Sequence, residues 1–459
     1  MKAIICIVLL AISAFWIYRG VNHFIKPLPK PEVDTNTYWG PGKPVNYEAP
    51  TDIVPFEIKY DQTIIDDLRV QLNRTWKYTA PLENIKFEYG FNSEALRHIV
   101  EYWRDYYLPK WSKHEDYLNS LPHFKTEIQG LKIHFIHAKP SEAARKEKKV
   151  VPMLLLHGWP GSVREFYEFI KILVEVSDVN DYVFEVIAPS LVGYGFSDAA
   201  PRPGFDALQM AAVMRNLMLR VGFDKFLIQG GDWGSIIGST ISTLFPENVI
   251  GFHSNMCVLH TPLATIKSYI ASWMPEQFLP ARFFYDHHFP LKDKYKFLIL
   301  ESGYFHIQAT KPDTIGIALE ASPIALAAYI MEKFQTATGV GRNQEFNAMD
   351  KTYKLDAILD NVMIYYLTGT VTTAGRFYAE NLASNSLALS LDRVPSPVPM
   401  GCARFQFDLP PALDWALRDK FPNLVHSTYF NQGGHFAALE LPGMLYINFQ
   451  EFVKKAIAE

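Results

Sequence analysis

Short apolar runs alternate with amphipathic segments through the middle of the chain. Four of these runs are typical of buried strands, namely Val151 to Leu156, Phe184 to Ala188, Phe226 to Gln229 and Val249 to Met256. Apolar residues at helical spacing occupy two of the intervals, Arg164 to Val176 and Phe205 to Val221. Because strands that alternate with helices form parallel sheets, the pattern predicts an α/β fold with a mostly parallel sheet over residues 150–261.

The alternation stops after residue 261 and returns near the carboxyl terminus. Residues 262–391 are predicted to be largely helical and to form an inserted cap, or lid, over the edge of the sheet. Strand patterns resume at Val398 to Phe407 and Val425 to Phe430, and a last helix is predicted at Leu441 to Ile457. We therefore predict that residues 392–459 complete the sheet domain that begins at residue 150.

An extension over residues 21–149 precedes this core. It begins with a proline-rich strap that is expected to lack regular structure. The elements predicted after the strap are a strand at Phe56 to Tyr60, helices at Asp61 to Lys77 and Ser93 to Tyr107, and a hairpin of Phe124 to Ile128 with Leu131 to His137.

The first apolar segment, Ala3 to Tyr18, is interrupted only by Ser13. We predict a membrane anchor over residues 1–20, with lipid contact through residues 3–18. The alternatives are a signal peptide cleaved near Ala11-Ile12-Ser13 and a buried helix. Basic residues are more numerous after this segment than before it (Arg19, Lys26 and Lys30 against Lys2), which predicts that the main body faces the cytosol.

The composition narrows the class of protein. With 459 residues, 49% hydrophobic and 20% charged, the chain is predicted to be globular with a large core. A net charge of −4 gives no reason to expect a nucleic-acid partner. The three cysteines, Cys6, Cys257 and Cys402, suggest neither a disulfide framework nor a metal cluster, so a reducing compartment is expected for the main body.

The strand Phe226 to Gln229 runs into Gly230-Gly231-Asp232-Trp233-Gly234, after which a helix is predicted to begin. A reactive side chain on a sharp strand-to-helix turn needs small neighbours, as in the nucleophile elbow of the α/β-hydrolase fold. Here the elbow residue is an aspartate. A carboxylate that attacks carbon leaves an ester, so the predicted electrophile is an alkyl carbon of an epoxide or an alkyl halide. The alternative is a glycine-rich strand end in which Asp232 only caps the next helix.

In this fold a histidine follows the last strand, and an acid follows the strand before it. His435 comes after Gly433-Gly434 beyond the last predicted strand, and we predict it as the general base. Asp408 is predicted to orient His435, with Asp414 and Asp419 as alternatives.

The fold also supplies two backbone amides that hold an oxyanion. We predict Trp159 and Trp233 for this role, because Trp159 follows the strand Val151 to Leu156, which corresponds to the third core strand of the fold, and Trp233 follows the nucleophile. A serine nucleophile is disfavoured. Ser197 is followed by prolines where a helix would have to start, and Ser235 would lie inside the first helical turn.

Several motifs resemble those of the microsomal-type epoxide hydrolases, and one stretch resembles their insect branch, the juvenile hormone epoxide hydrolases. The family motifs are Tyr38-Trp39-Gly40-Pro41-Gly42, Pro122-His123-Phe124-Lys125-Thr126, His157-Gly158-Trp159-Pro160-Gly161-Ser162, Gly230-Gly231-Asp232-Trp233-Gly234-Ser235, Glu301-Ser302-Gly303-Tyr304 and Gly433-Gly434-His435-Phe436-Ala437-Ala438; the insect-branch stretch runs from Gly303 to Asp313. The resemblance implies that Tyr304 and Tyr378 donate protons to the epoxide oxygen. It aligns Asp408 with an acid that is often glutamate in the mammalian enzymes, and it implies an anchor in the endoplasmic reticulum (microsomal) membrane.

The expected reaction is conversion of an apolar epoxide and water to a vicinal diol, without metal or organic cofactor. The expected substrate is juvenile hormone, with xenobiotic or lipid epoxides as further possibilities. Three other functions remain open from the residues alone: a haloalkane dehalogenase-like hydrolase, a serine esterase and a non-catalytic membrane-anchored binding protein. Oligomeric state and regiochemistry are not predicted.

Overall fold

A computed structural model of the chain describes residues 12–13, 15–16, 18–20, 25–42, 47–74, 76–176, 181–280, 285–338, 353–382 and 391–458. Most of the predicted membrane anchor, residues 3–18, lies outside this set. Within the set, no single helix has both the length and the apolar character needed to cross a membrane. Two consecutive helices, Pro312–Glu320 and Pro323–Thr336, meet that requirement only when taken together, and they are bent by 120° relative to each other.

The described part of the chain forms a nine-stranded sheet in the order β1-β2-β3-β5-β4-β6-β7-β8-β9. The strands are β1 (Ile53–Phe56), β2 (His123–Ile128), β3 (Leu131–Ala138), β4 (Lys149–Leu156), β5 (Tyr182–Pro189), β6 (Phe226–Gly230), β7 (Val249–Ser254), β8 (Met400–Arg404) and β9 (Leu424–Tyr429). Pairing is antiparallel from β1 through β3 to β5 and parallel from β5 to β9. The predicted parallel core is thus confirmed, and the hairpin β2–β3 extends it at one edge.

The amino-terminal extension contains the helices α1 (Gln62–Leu72), α2 (Ser93–Tyr102) and α3 (Trp111–Leu118). The predicted strand Phe56 to Tyr60 is wrong in position, because β1 begins at Ile53 and ends at Phe56. Beyond that point the backbone N–H groups of Ile58 and Tyr60 donate to the side chains of Asn119 and Glu115. They are therefore not available to a neighbouring strand.

Helices cover both faces of the parallel sheet. They are α4 (Glu142–Glu147), α5 (Tyr167–Leu173), α6 (Ala207–Val221) and α7 (Trp233–Leu244) in the first part of the core. A Cβ on Gly238 of α7 would lie 2.6 Å from Phe252, whereas a Cβ on Gly251 would lie 2.8 Å from Phe452 near the carboxyl terminus. Gly251 and Phe252 are neighbours in β7, so these contacts are on opposite faces of the sheet.

Residues 262–382 are helical wherever they are described in regular structure. The helices are α8 (Pro262–Trp273), α9 (Pro275–Phe278), α10 (Tyr285–His288), α11 (Leu291–Glu301), α12 (Gly303–Thr310), α13 (Pro312–Glu320), α14 (Pro323–Thr336), α15 (Leu355–Thr368) and α16 (Val371–Leu382). After them come β8, α17 (Asp414–Lys420), β9, α18 (Ala437–Glu440) and α19 (Pro442–Ala458). The predicted domain boundaries, after residues 20, 149, 261 and 391, remain predictions.

Helix α15 is joined to the rest of the molecule by a buried carboxylate. Asp360 accepts hydrogen bonds from Arg164 at 2.9 Å and from Tyr107 at 2.8 Å, and its Oδ1 lies 3.0 Å from Nδ1 of His114. Three parts of the chain therefore meet at one side chain: the extension, the sheet domain and the helical segment.

The expectation for the cysteines was wrong, because Cys257 and Cys402 form a disulfide. The two residues are 145 positions apart, and their spacing alone gave no reason to pair them. The pairing arises because β7 and β8 are parallel neighbours, with Ser254 opposite Cys402. The chain just beyond β7 then brings Cys257 to within a Cα–Cα distance of 6.0 Å of Cys402.

Candidate active site

Asp232 lies on a strained turn between the end of β6 and the start of α7. Its backbone has φ 50° and ψ −129°, a region that non-glycine residues rarely occupy. Although Asp232 holds the N-cap position of α7, its side chain makes no capping hydrogen bond. The alternative in which this aspartate only caps the helix is therefore not what the structure shows.

The glycines around Asp232 are required by close backbone approaches. A Cβ on Gly234 would lie 1.9 Å from the carbonyl oxygen of Leu156, and one on Gly230 would lie 2.5 Å from the carbonyl oxygen of Gly234. Across the turn, a Cβ on Gly158 would lie 2.2 Å from Oδ1 of Asp232. Small residues thus let the carboxylate stand at the carboxyl end of the sheet.

His435 lies between Asp232 and Asp408. Its Nε2 is 3.3 Å from Oδ2 of Asp232, and its Nδ1 is 2.6 Å from Oδ1 of Asp408. The histidine loop is held by its own backbone, since the amide of His435 donates to Ala337 and that of Gly434 donates to Glu440. The structure therefore brings together all three residues predicted for the triad.

The alternative acids and serines have other partners. Asp414 accepts hydrogen bonds from Arg404 and Ser427, and Asp419 forms an ion pair with Lys267 at 2.7 Å. Ser197 is buried, accepts from the amide of His134 and donates to the carbonyl oxygen of Ser190. Ser235 contacts Ser254 and donates to the carbonyl oxygen of Met256.

The backbone around the carboxylate offers hydrogen-bond donors. The amide of Trp159 donates to Oδ1 of Asp232 at 2.8 Å. The amide of Trp233 is the first of α7, and such N–H groups have no partner inside their own helix. Oδ1 of Asp232 therefore already occupies a position where a negative oxygen is stabilised.

Tyr304 and Tyr378 come from α12 and α16 and meet above the carboxylate. The ring of Tyr304 stacks on Trp159 with centroids 5.0 Å apart, and the ring of Tyr378 lies 4.9 Å from that of Trp233. The two tyrosine rings are 6.1 Å apart at 80°. Burial raises the pKa of both hydroxyl groups, and the charge of Asp232 raises the pKa further. Both therefore stay protonated and able to donate.

The hydroxyl of Tyr378 is buried and has no hydrogen-bond partner in the described structure. A buried polar group without a partner costs free energy, and it usually marks a missing water or a site of function. An oxygen atom of a substrate between the two tyrosines would satisfy it.

Opposing effects set the protonation of His435. Burial lowers its pKa, but the charge of Asp408 and hydrogen bonds to Asp232 and Asp408 outweigh burial and raise the pKa well above the usual value. Next to these two side chains His435 therefore favours its charged form.

Two residues near this site were not anticipated. Asn255 donates to the carbonyl oxygen of His435 at 3.1 Å and so supports the histidine loop. Glu165 follows the His157 to Ser162 motif; burial raises its pKa to about 8, with the charges of Asp232 and Asp408 adding to the effect and that of His435 opposing it. The sequence signal for a role of Glu165 was its position just after that motif. Nothing in the sequence around Asn255 indicated its contact with His435.

A small cavity of about 40 Å³ opens beside the triad. Its lining includes Trp159, Tyr304, Leu409 and His435. Among the described residues this wall is mostly aromatic and aliphatic, so it suits contact with an apolar group.

Comparison with known proteins places this geometry in a family. The model for the epoxide hydrolase N terminus matches residues 53–166, and that for the α/β-hydrolase fold matches residues 151–285. Juvenile hormone epoxide hydrolase 1 of Ctenocephalides felis is 48% identical over 94% of this chain and 91% of its own. The chain belongs to the epoxide hydrolase family.

Relatives of this epoxide hydrolase include mammalian and insect proteins. Epoxide hydrolase 1 of Sus scrofa is 39% identical over 91% of this chain and 92% of its own. The crystal structure of juvenile hormone epoxide hydrolase from the silkworm Bombyx mori superposes with a TM-score of 0.87 at 41% identity, covering 93% of this chain and 98% of that one. The α/β-hydrolase fold, the enzyme class and the resemblance to the juvenile hormone branch are thereby confirmed.

Proposed function

We propose that this epoxide hydrolase opens an apolar epoxide through a covalent ester on Asp232, and that juvenile hormone is its natural substrate. The substrate proposal is supported by the relatives that carry this name, at 42–48% identity. The apolar lining of the cavity at the triad is consistent with a terpenoid epoxide.

In the first step Oδ2 of Asp232 attacks an oxirane carbon. Oδ1 is held by the amide of Trp159 and becomes the carbonyl oxygen of the ester. The carbon–oxygen bond of the ring breaks, and the leaving oxygen takes a proton from Tyr304 or Tyr378. The helical segment that carries these tyrosines acts as the cap of the site.

In the second step His435 removes a proton from water, and the resulting hydroxide attacks the ester carbonyl carbon. Negative charge then develops on Oδ1, where the amides of Trp159 and Trp233 stabilise it. Collapse of this intermediate breaks the bond from the carbonyl carbon to Oδ2, and Oδ2 takes the proton held by His435 and leaves in the diol. The new carboxyl group of Asp232, with one oxygen from water, then gives its proton to His435.

Formation of the ester also prepares the base. The first step removes the negative charge of Asp232, which is one of the causes that raise the pKa of His435. The pKa of His435 then falls, so the ring can return a proton to the tyrosinate left by the first step and then act as the base toward water. Asp408 keeps Nδ1 protonated and the ring in place.

The observation that carries the proposal is the line Asp408–His435–Asp232, with distances of 2.6 and 3.3 Å. Its test is the His435→Gln variant with a juvenile hormone epoxide. We expect mass spectrometry to find the substrate mass on the peptide of Asp232, because attack proceeds and hydrolysis does not. A correctly folded variant that forms no adduct would contradict the two-step mechanism.

A haloalkane dehalogenase would also use an aspartate nucleophile. The relatives named above are epoxide hydrolases, and the paired tyrosines offer protons to an oxygen, so we favour the epoxide. Measurement of halide release from alkyl halides separates the two activities.

We further propose attachment to the endoplasmic reticulum membrane through residues 3–18, with the catalytic body in the cytosol. The support is the apolar character of these residues and the excess of basic residues after them.

A binding protein without activity is disfavoured, because the three side chains of the triad are intact and in contact.

A further inference from the structure

Helix α8 is inverted relative to a normal surface helix. Its lysine, Lys267, faces inward, where it is buried and forms an ion pair with Asp419 at 2.7 Å. Its outward face carries Ile266, Tyr269, Ile270 and Trp273, which recur at helical spacing and are all exposed, Trp273 by 84%. A helix that turns apolar residues outward and its charge inward is expected to face an apolar environment.

Helix α11 has the same character in its second half. It contains no buried residue, and Leu298, Ile299 and Leu300 follow one another with 37%, 75% and 67% exposure. Exposed apolar side chains are common singly, but contiguous groups mark an interaction surface. We call the seven residues of α8 and α11 named here the apolar face.

The two helices lie side by side and share a cavity. The rings of Tyr269 and Tyr295 stack with centroids 6.2 Å apart. Beneath them lies a cavity of about 220 Å³ whose lining includes Ala264, Leu298 and Leu409. Leu409 also lines the small cavity at the triad. Leu409 therefore borders both the cavity under the apolar face and the cavity beside His435.

The start of α8 is also close to the amino-terminal strap. The amide of Leu28 donates to Arg393, and the guanidinium of Arg393 donates to the carbonyl oxygen of Lys26. The neighbouring Asp392 accepts from the amide of His260, which comes just before α8. The chain that leads back to the apolar segment 3–18 thus leaves the body near the start of α8.

Charges at the rim suit an anionic surface. Lys292 and Lys296 are exposed in the first half of α11, and Asp293 is exposed between them, so a net positive charge lies next to the apolar second half. Helices with aromatic and aliphatic residues on one side and lysines beside them bind at the headgroup level of anionic bilayers.

We propose that the apolar face lies in the surface of a lipid bilayer, and that the cavity beneath it is the route by which an apolar epoxide passes from the lipid to Asp232. The membrane contact stands on the apolar face, the lysines and the position of the strap. The route rests, in addition, on the proposed function.

The membrane contact is tested with the full chain in vesicles of phosphatidylcholine and phosphatidylserine. A fluorescent probe is attached to an Ile299→Cys variant in a Cys6→Ser background, because Cys257 and Cys402 are buried and bonded to each other. Spin-labelled lipids report whether the probe touches the bilayer. The matched control is Lys225→Cys. Lys225 is exposed and lies next to the amino end of β6, at the opposite end of that strand from Asp232.

We expect spin-labelled lipid to quench the probe at position 299 at least about fivefold more than the probe at position 225. Equal quenching at both positions would overturn the proposal. A blue-shifted spectrum at position 299 that appears without vesicles and grows with protein concentration would also overturn it, because a second copy of the chain would then cover the face.

The route is tested with the combined variant Trp273→Ser, Ile299→Gln and Leu300→Gln. With substrate dissolved in vesicles, we expect the apparent KM for a long-chain epoxide to rise about fivefold, while turnover of a short water-soluble epoxide stays unchanged. Val70→Gln is the matched control, since Val70 is also exposed but belongs to α1.

Unchanged KM in the combined variant would overturn the route, and an equal loss toward both epoxides would too. If the unaltered chain turned over neither epoxide, the proposed function would fail, while the quenching result would still decide the membrane contact.

Discussion

Two buried tyrosines of the helical segment differ in what their hydroxyl groups contact. Tyr365 donates to the carbonyl oxygen of Gly161 at 2.9 Å, whereas Tyr378 has no partner in the described structure. We predict that Tyr365→Phe lowers the free energy of unfolding by about 1–2 kcal/mol, because it removes a buried hydrogen bond. Tyr378→Phe should leave stability unchanged or raise it by about 1 kcal/mol, because it removes an unsatisfied group.

For ring-opening activity the order should be reversed, so that Tyr378→Phe has the larger effect and Tyr365→Phe the smaller one. Ring opening by Tyr378→Phe should slow by about 10- to 100-fold through loss of a proton donor, with a smaller change for Tyr365→Phe. Denaturant unfolding and single-turnover kinetics of both variants provide the measurement. If Tyr378→Phe were the less stable and the more active of the two, Tyr378 would be a structural residue.

The residues of the candidate site differ in how well the sequence alone identifies them. Asp232 and His435 were identifiable because their glycine neighbours indicate a tight turn at the end of a strand. Tyr378 was proposed only through the resemblance, since its neighbours form an ordinary helix and its unsatisfied hydroxyl is visible only in three dimensions. Asn255 was missed because its contact with His435 spans 180 positions.

At the scale of elements, the turn between β6 and α7 depends on Gly234. A Cβ there would meet the backbone of β4 at 1.9 Å, and backbone cannot move aside as a flexible side chain can. We predict that Gly234→Ala costs about 3 kcal/mol or more. Gly443→Ala is the control, because nothing lies within 4 Å of a Cβ at that position. Because alanine favours helices over glycine, it should gain up to about 1 kcal/mol in α19.

Denaturant unfolding followed by near-ultraviolet circular dichroism compares the two glycine variants. Equal stability of Gly234→Ala and the unaltered chain would mean that α7 and β4 can move apart without cost. Apolar periodicity in the sequence predicted that these elements exist, but it did not predict the residues at which they end. β1 ends at Phe56 because Asn119 and Glu115 capture the next amides, and the sequence near β1 does not reveal those partners.

At the scale of the whole molecule, the charge distribution and the disulfide point to opposite compartments. Basic residues after the apolar segment favour a cytosolic body, whereas disulfides persist in oxidising compartments. Neither the pairing of Cys257 with Cys402 nor this conflict was predictable from the sequence, because the pair forms only once β7 and β8 are neighbours.

Asn73 provides a reporter of the compartment. It belongs to the acceptor sequence Asn73-Arg74-Thr75, caps the end of α1 and is exposed, so it would be accessible to glycosylation in the lumen. We predict no glycan on native microsomal enzyme, and, because the structure bonds Cys257 to Cys402, recovery of both as a disulfide after denaturation without reductant. A shift in mobility after endoglycosidase that Asn73→Gln abolishes would place the body in the lumen, where the disulfide would be expected. Both readouts come from one sample. A disulfide without a glycan would indicate a cytosolic body with an oxidised pair, whereas a disulfide with a glycan on Asn73 would indicate a luminal body.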